Sequence, residues 1–333
     1  MATIRKIAEI RPIIGADLIC AYRVDGWWVV DQVNKYLLGD LVVYAEPDSW
    51  IPHELAPFLS RGNAPRTFEQ VLGERLRTVR LRGQLSQGLL LPITVCTAPG
   101  DSQLGDDVSE SLNILKYEAP IPACIAGEVT GALPGFIPKT DQERIQNLTL
   151  ELAQWTTQSL TWEVTEKLDG SSMTVFWNQG LFGVCSRNWQ LADRPGNTPW
   201  RVAGELYLKS GLEQLGRNLA LQGELIGNDI QDNRYARRGQ TFMIFDIFDI
   251  DAGEYLTPDQ RTQLVTHMGW PHVPVIASAA VLTESMDQLL LAADSRSSMP
   301  VTPAPWQEGL VYKCNQLAVS FKVISNKFLL RAQ

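Results

Sequence analysis

The stretch Thr161-Trp-Glu-Val-Thr-Glu-Lys167-Leu-Asp169-Gly170-Ser-Ser172 decides the fold. Its first half alternates in the manner of a strand, and Asp169-Gly170 is a turn signal. Lys167 therefore ends a strand, two residues before the chain reverses. Working outward, Leu181–Arg187 and Met173–Trp177 read as a hairpin closed by Asn178-Gln179-Gly180. Further strands are expected at Ala220–Ile226, Thr241–Ile250, Gly309–Lys313 and Ala318–Ile324. Apolar spacing predicts a helix over Val202–Leu219, weakened by Gly211. Thr257-Pro258-Asp259-Gln260 opens another helix with a capping box.

Residues 1–118 read as short strands with Gly and Pro punctuation, which suggests a small barrel. A hairpin is expected around Asp25-Gly26. Residues 119–148 hold Pro120, Pro122, Pro134 and Pro138 and read as a linker or strap, with a helix starting at Thr140. The expected class is α+β: an OB-like β-barrel over 1–118, the strap over 119–148, and a mixed α/β domain over 149–333. Six residues follow Lys327, so no further domain is expected there.

The chain has 333 residues, 45% hydrophobic and 20% charged, ordinary for a globular protein with two cores. No run of about 18 apolar residues predicts a membrane span, and the N-terminus lacks a signal-peptide pattern. Five scattered cysteines without a Cys-x-x-Cys pair read as reduced thiols of a cytoplasmic protein. Three histidines at no ligand spacing argue against zinc. A net charge of -8 argues against a generic nucleic-acid coat. Local basic runs remain: Arg75, Arg77, Arg80 and Arg82, and separately Arg234, Arg237 and Arg238. Such clusters grip phosphates locally or simply form a solvated face.

The residues around Lys167 point to phosphate chemistry. A free lysine amine is a nucleophile, and neighbouring cations with partial burial are expected to free it. Lys313, Lys322 and a divalent metal are the candidate cations. Asp169, Glu224 and Glu308 are hard oxygen ligands suited to Mg²⁺ or Mn²⁺, through waters. Arg187 is a candidate for holding ribose or phosphate. Phe245 is a candidate for base stacking, with core packing as its other reading. Asp246 inside Phe-Met-Ile-Phe-Asp needs a partner. Together these groups suit attack of an amine on an α-phosphate.

The ordered set resembles the covalent nucleotidyltransferases: DNA ligases, RNA ligases and mRNA capping enzymes. Lys167-Leu-Asp169-Gly170, Ser186-Arg187-Asn188, Gly223-Glu224-Leu225, Phe245-Asp246-Ile247, Glu308 to Lys313, and Phe321-Lys322 are similar to their successive motifs. Among them the order of domains resembles the Deinococcus-type RNA ligases, whose OB domain comes first and whose catalytic domain is ATP-grasp-like. Arg80-Leu-Arg82-Gly-Gln-Leu and Ile137-Pro-Lys-Thr-Asp-Gln-Glu-Arg144 add to that resemblance. It implies ATP as substrate, Mg²⁺ or Mn²⁺, and Lys167 and Lys322 as catalytic residues. It implies an ATP site of Glu166, Lys167, Arg187, Glu224, Phe245, Lys313, Lys322 and Lys327, and metal ligands Asp169, Glu224 and Glu308. The implied partner is nucleic acid, a nicked duplex of RNA or an RNA/DNA hybrid, gripped by Arg75, Arg77, Arg80 and Arg82. No protein partner is expected. Ser320 stands where many relatives have the first of two motif lysines, leaving Lys322 and Lys327 as candidates for the second cation. Two other functions stay open: a GTP-dependent RNA-capping guanylyltransferase, and a non-catalytic nucleic-acid-binding protein.

Overall fold

The computed structural model describes residues 1–96, 100, 102–118, 129–282 and 285–331. Pro120, Pro122 and Cys124 of the expected strap lie outside these residues. The chain divides into two compact units. The first comprises Met1–Ala119, Gln146–Thr149 and Leu329–Gln333; the second comprises Pro120–Ile145 and Leu150–Phe328.

In the first unit, Ala2–Lys6 and Leu89–Pro92 flank Leu41–Ala45 in one antiparallel sheet. Glu9–Ile13, Ala16–Val24 and Trp27–Gln32 form a second sheet. Its hairpin turns at Asp25-Gly26, where Gly26 is obligatory. A Cβ there would stand 2.8 Å from the Gln146 backbone, whose carbonyl accepts the Gly26 N–H. The core holds Ile4, Val43, Ile51 and Leu91, with Tyr22, Trp27 and Tyr44 in an adjoining cluster. Alternating apolar residues on short strands leave one face of each sheet for this core.

The second unit is built on two sheets. One has seven strands, with Ser171–Asn178 and Gln240–Asp249 on either side of Leu219–Gly227. The other has five, with Trp162–Lys167 between Val275–Ala280 and Gly309–Cys314, and Ser320–Ile324 beyond. Central strands here are nearly continuous apolar runs because both faces are covered. Leu221, Phe242 and Ile244 pack with Val202, Leu212 and Val265 from helices.

Two expectations need correction. No α-helix starts at Thr140: Glu143–Arg144 is a short strand running parallel to Ser320–Ile324, Ile145–Asn147 is a single 3-10 turn, and the α-helix is Thr149–Trp155. Backbone pairing at a sheet edge overrides the capping-box pattern. The single helix expected over 202–219 is two, Thr198–Glu205 and Leu208–Leu215, broken where Tyr207 adopts a left-handed φ of 53°. Gly211 survives in the second because a Cβ would meet the Trp270 ring at 2.6 Å. The capping box at Thr257 and Gln260 forms as read, opening Pro258–Met268. Among the described residues no helix is long and apolar enough to cross a membrane.

Candidate active site

Trp162–Lys167 is buried along its length until Lys167, whose side chain is 28% exposed. Register places Lys167 opposite Gly309. A side chain at Gly309 would strike the Val323 carbonyl at 2.2 Å, so only glycine lets the strands close here. Glu308 then stands beside the lysine, and Lys167 Nζ donates to its Oε1 at 2.7 Å.

The turn after Lys167 is fixed from the other sheet. Gly170 lies so close that a Cβ would meet the Leu225 carbonyl at 2.3 Å. The returning strand pairs Ser172 with Glu224. Asp169 donates its N–H to the Tyr235 hydroxyl at 2.8 Å and pairs through its carboxylate with Arg234 at 2.7 Å. Lys167, Asp169, Glu224 and Glu308 are thus brought together, and Lys322 acts electrostatically on Glu308.

This grouping reverses one expectation. Burial pushes the Lys167 amine down, but Glu308, Glu224 and Asp169 outweigh it and hold the amine above its ordinary value. Lys313 is not the cation that frees it, because Lys313 is spent on Asp246 at 2.7 Å. Burial lowers Lys313 to about 8, against the attraction of Asp246. Burial raises Glu224 to about 8; Lys167 opposes that shift, and Glu308 and Asp169 add to it. Burial likewise raises Glu308.

The carboxylates suit a hard divalent cation. Asp169, Glu224 and Glu308 converge on Lys167, and burial, with the other acids adding to it, raises Glu224 and Glu308. Among the described residues no three His, Cys, Asp or Glu side chains stand at direct metal-holding spacing. Asp169, Glu224 and Glu308 are carboxylate oxygen donors of the kind a hard divalent cation takes.

The remaining sequence candidates divide. Phe245 packs against the cluster of Leu168, Ile226 and Tyr235, with Lys313 5.7 Å from its ring centre. Glu166 is buried with both oxygens engaged, by the Ser297 hydroxyl and by the Ser298 N–H and hydroxyl. Arg187 pairs with Asp141 at 2.6 Å. Lys327 lies 4.0 Å from the Trp306 ring centre and donates to the Asp294 carbonyl. Arg75 pairs with Asp48 at 2.6 Å and stacks on Tyr117, while Arg77, Arg80 and Arg82 are exposed. Sequence alone does not single out Tyr235, Ser297 and Ser298: each is an ordinary residue whose partner is distant in the chain. Arg234 carries a signal, the basic run with Arg237 and Arg238.

A lysine at a strand end ringed by carboxylates, with a small β unit in the same chain, is the arrangement of the covalent lysine nucleotidyltransferase class. The RNA ligase family model matches residues 160–324, and an OB-fold domain matches residues 1–93. No curated protein matches the chain. Among solved structures it is similar to Naegleria gruberi RNA ligase in a lysine-to-alanine form with ATP and Mn, at 44% identity and TM-score 0.92, covering 98% of each chain. The same enzyme with AMP and Mn matches at 44% identity and TM-score 0.92, covering 98% of this chain and 97% of that one. With PPi it matches at 44% identity and TM-score 0.91, again covering 98% and 97%. The chain belongs to the RNA ligase family.

Proposed function

We infer that the protein is an ATP-dependent RNA ligase that joins a 3′-OH to a 5′-phosphate, acting on nicks in duplexes whose 3′-OH side is RNA. The observation that carries this is the Lys167 amine at a strand end, 2.7 Å from Glu308, in a chain alike throughout to a ligase solved with ATP and Mn. Lys167 Nζ attacks the α-phosphorus of ATP. The N–P bond forms, the bond to pyrophosphate breaks, and the amine gives up a proton. The AMP then passes to the 5′-phosphate, and the 3′-OH attacks that phosphate and releases AMP.

In this reading Lys322 faces the charge on the phosphates and Phe245 borders the base. Arg187, Lys313, Lys327 and Glu166 complete the ATP site; Glu166 acts through Ser297 and Ser298, since its own oxygens are engaged. A divalent cation, held through waters by Asp169, Glu224 and Glu308, supplies charge neutralisation and draws the carboxylate field off the amine. Arg77, Arg80 and Arg82 touch the duplex; Arg75 contributes through its stack on Tyr117. The four free cysteines among the described residues are all buried, which supports a cytoplasmic setting.

Incubation with α-labelled ATP or GTP and a divalent metal, read on a denaturing gel, tests the assignment. ATP should label the protein, GTP far less, and Lys167→Ala not at all. Equal labelling of the alanine variant removes Lys167 as nucleophile, and faster labelling by GTP moves the protein to the capping class.

A further inference from the structure

The loop over residues 228–239 joins the Glu224 strand to the Phe245 strand, and the ATP site does not account for it. Four of its non-glycine residues sit in the left-handed region: Asp229, Gln231, Asn233 and Ala236, with φ of 61°, 46°, 41° and 45°. That conformation is costly for residues with a Cβ and persists where surrounding contacts over-determine it, commonly at functional sites. The contacts are present. The Asn233 side chain donates to Asn228 Oδ1 and to the Arg237 carbonyl, and accepts from the Arg237 N–H. Gln240 Nε2 donates to the Asn228 carbonyl at 2.6 Å.

The loop is also pinned to the reactive turn. The Tyr235 hydroxyl accepts from Asp169 N–H, Arg234 pairs with the Asp169 carboxylate, and Gln231 Nε2 donates to the Gly170 carbonyl at 3.3 Å. Beyond those anchors the chain presents Arg237 and Arg238. Both side chains are exposed, and neither guanidinium has a hydrogen-bond or ion-pair partner among the described residues. A loop anchored two residues from Lys167 thus displays two unspent cations, on a chain whose net charge is -8.

We propose that residues 228–239 form a substrate-strand docking loop, in which Arg237 and Arg238 take backbone phosphates of the strand bearing the 5′-phosphate. This rests on the ligase reading. In that reading ATP meets the groups around Lys167, whereas the incoming strand must bring its terminal phosphate to Lys167 from solvent. Exposed guanidiniums on a backbone held by its own contacts suit such docking, because they recognise phosphate without base preference and the loop backbone need not be ordered on binding.

The test compares the full-length protein with its Arg237→Ala/Arg238→Ala variant. Lysyl-AMP formation from ATP is followed first. Binding of nicked duplex, and AMP transfer to its 5′-phosphate, are then measured from low to moderate salt. The expected result is lysyl-AMP formation within about twofold of wild type and strand affinity reduced by about tenfold or more. The slope of log affinity against log salt should also fall by about 2. Arg237→Lys/Arg238→Lys should restore the slope. Loss of lysyl-AMP formation in step with transfer would place the loop in the ATP site and overturn the proposal, as would unchanged affinity and slope. A wild-type protein that forms lysyl-AMP but passes it to no polynucleotide would instead overturn the ligase reading.

Discussion

Glu224 is the acid whose neighbourhood says most about the site. It is one of three carboxylates around one amine, and its ordinary value of 4.5 rises to about 8 through burial. The folded chain therefore binds this proton more tightly than the unfolded chain does. Its contribution to stability is full below about pH 4.5 and is lost as pH rises through about 8. Glu224→Gln stays neutral throughout. Denaturant unfolding without metal should show the variant more stable than wild type at pH 8 by ~1–3 kcal/mol after solvent screening, with the gap closing near pH 5. Added Mn²⁺ or Mg²⁺ should raise the wild type more than the variant, since only the folded wild type offers the full donor set. A difference constant from pH 5 to 8 would show that Glu224 feels no such field. A second outcome follows at Glu308 and Asp169. On the proposed function alanine at either removes a donor to the cation, and lysyl-AMP formation should fall by about 10²-fold or more at saturating metal. Unchanged rates across a metal titration would make these acids structural.

At the scale of elements, Pro258–Met268 does more than cover a sheet. It carries Arg261, fully buried, between Glu163 on the five-strand sheet and Asp246 on the seven-strand sheet. Arg261 Nε donates to His272 Nε2 at 3.0 Å, and burial, with Arg261 beside it, pushes that histidine down to about 4. The imidazole is therefore a neutral acceptor, and Lys313 shares the same Asp246 oxygen at 2.7 Å. Arg261→Met should cost ~3–5 kcal/mol in denaturant unfolding, because it strands Glu163 as a buried charge and leaves Asp246 to Lys313 alone. Adding Glu163→Gln should recover part of that loss. A single-variant loss below about 1 kcal/mol would mean water already solvates the network.

This network also shows why sequence carried some of the site and not the rest. Strand ends, turn glycines and the ordered acids were legible because each depends on local pattern: alternation up to Lys167, Asp169-Gly170, and the Thr257 capping box. The unusual acid in Phe-Met-Ile-Phe-Asp246 announced that a partner existed. It could not announce that the partners are Lys313 and Arg261, which lie 67 and 15 residues further along the chain. The sign of the Lys167 shift was lost for the same reason. It depends on which charges converge, and convergence is set by the pairing of Lys167 with Gly309 and of Ser172 with Glu224. The Thr140 helix signal failed because a free sheet edge offered 143–144 a better place for its backbone hydrogen bonds.

For the whole molecule, the question is how the chemistry divides between the two units. Every group named around Lys167 belongs to the second unit, so on the proposed function lysyl-AMP formation is expected to need only that unit and ATP. The first unit has its own core, and it exposes Arg77, Arg80 and Arg82 on and beside the hairpin formed by Val79–Leu81 and Gln84–Ser86. A chain beginning near Ala119 should therefore still form lysyl-AMP, yet seal nicked duplex at least ~10-fold more slowly. That truncation also strips the partner from Gln146 and Asn147, which hydrogen-bond to Gly26, Trp27 and Glu46. Aggregation on truncation would point to this structural loss rather than to a lost grip on substrate. The full-length Arg77→Ala/Arg80→Ala/Arg82→Ala variant separates the two, because these side chains are exposed and lie outside the unit's core, the one bond lost among the described residues being that of Arg80 to the Gly83 carbonyl. It should bind duplex more weakly, with a salt slope lowered by about 1 for each phosphate contact removed, while lysyl-AMP forms at the wild-type rate. A folded truncation that seals as fast as the full chain, or a triple variant with wild-type affinity at every salt concentration, would leave the first unit no part in holding the substrate.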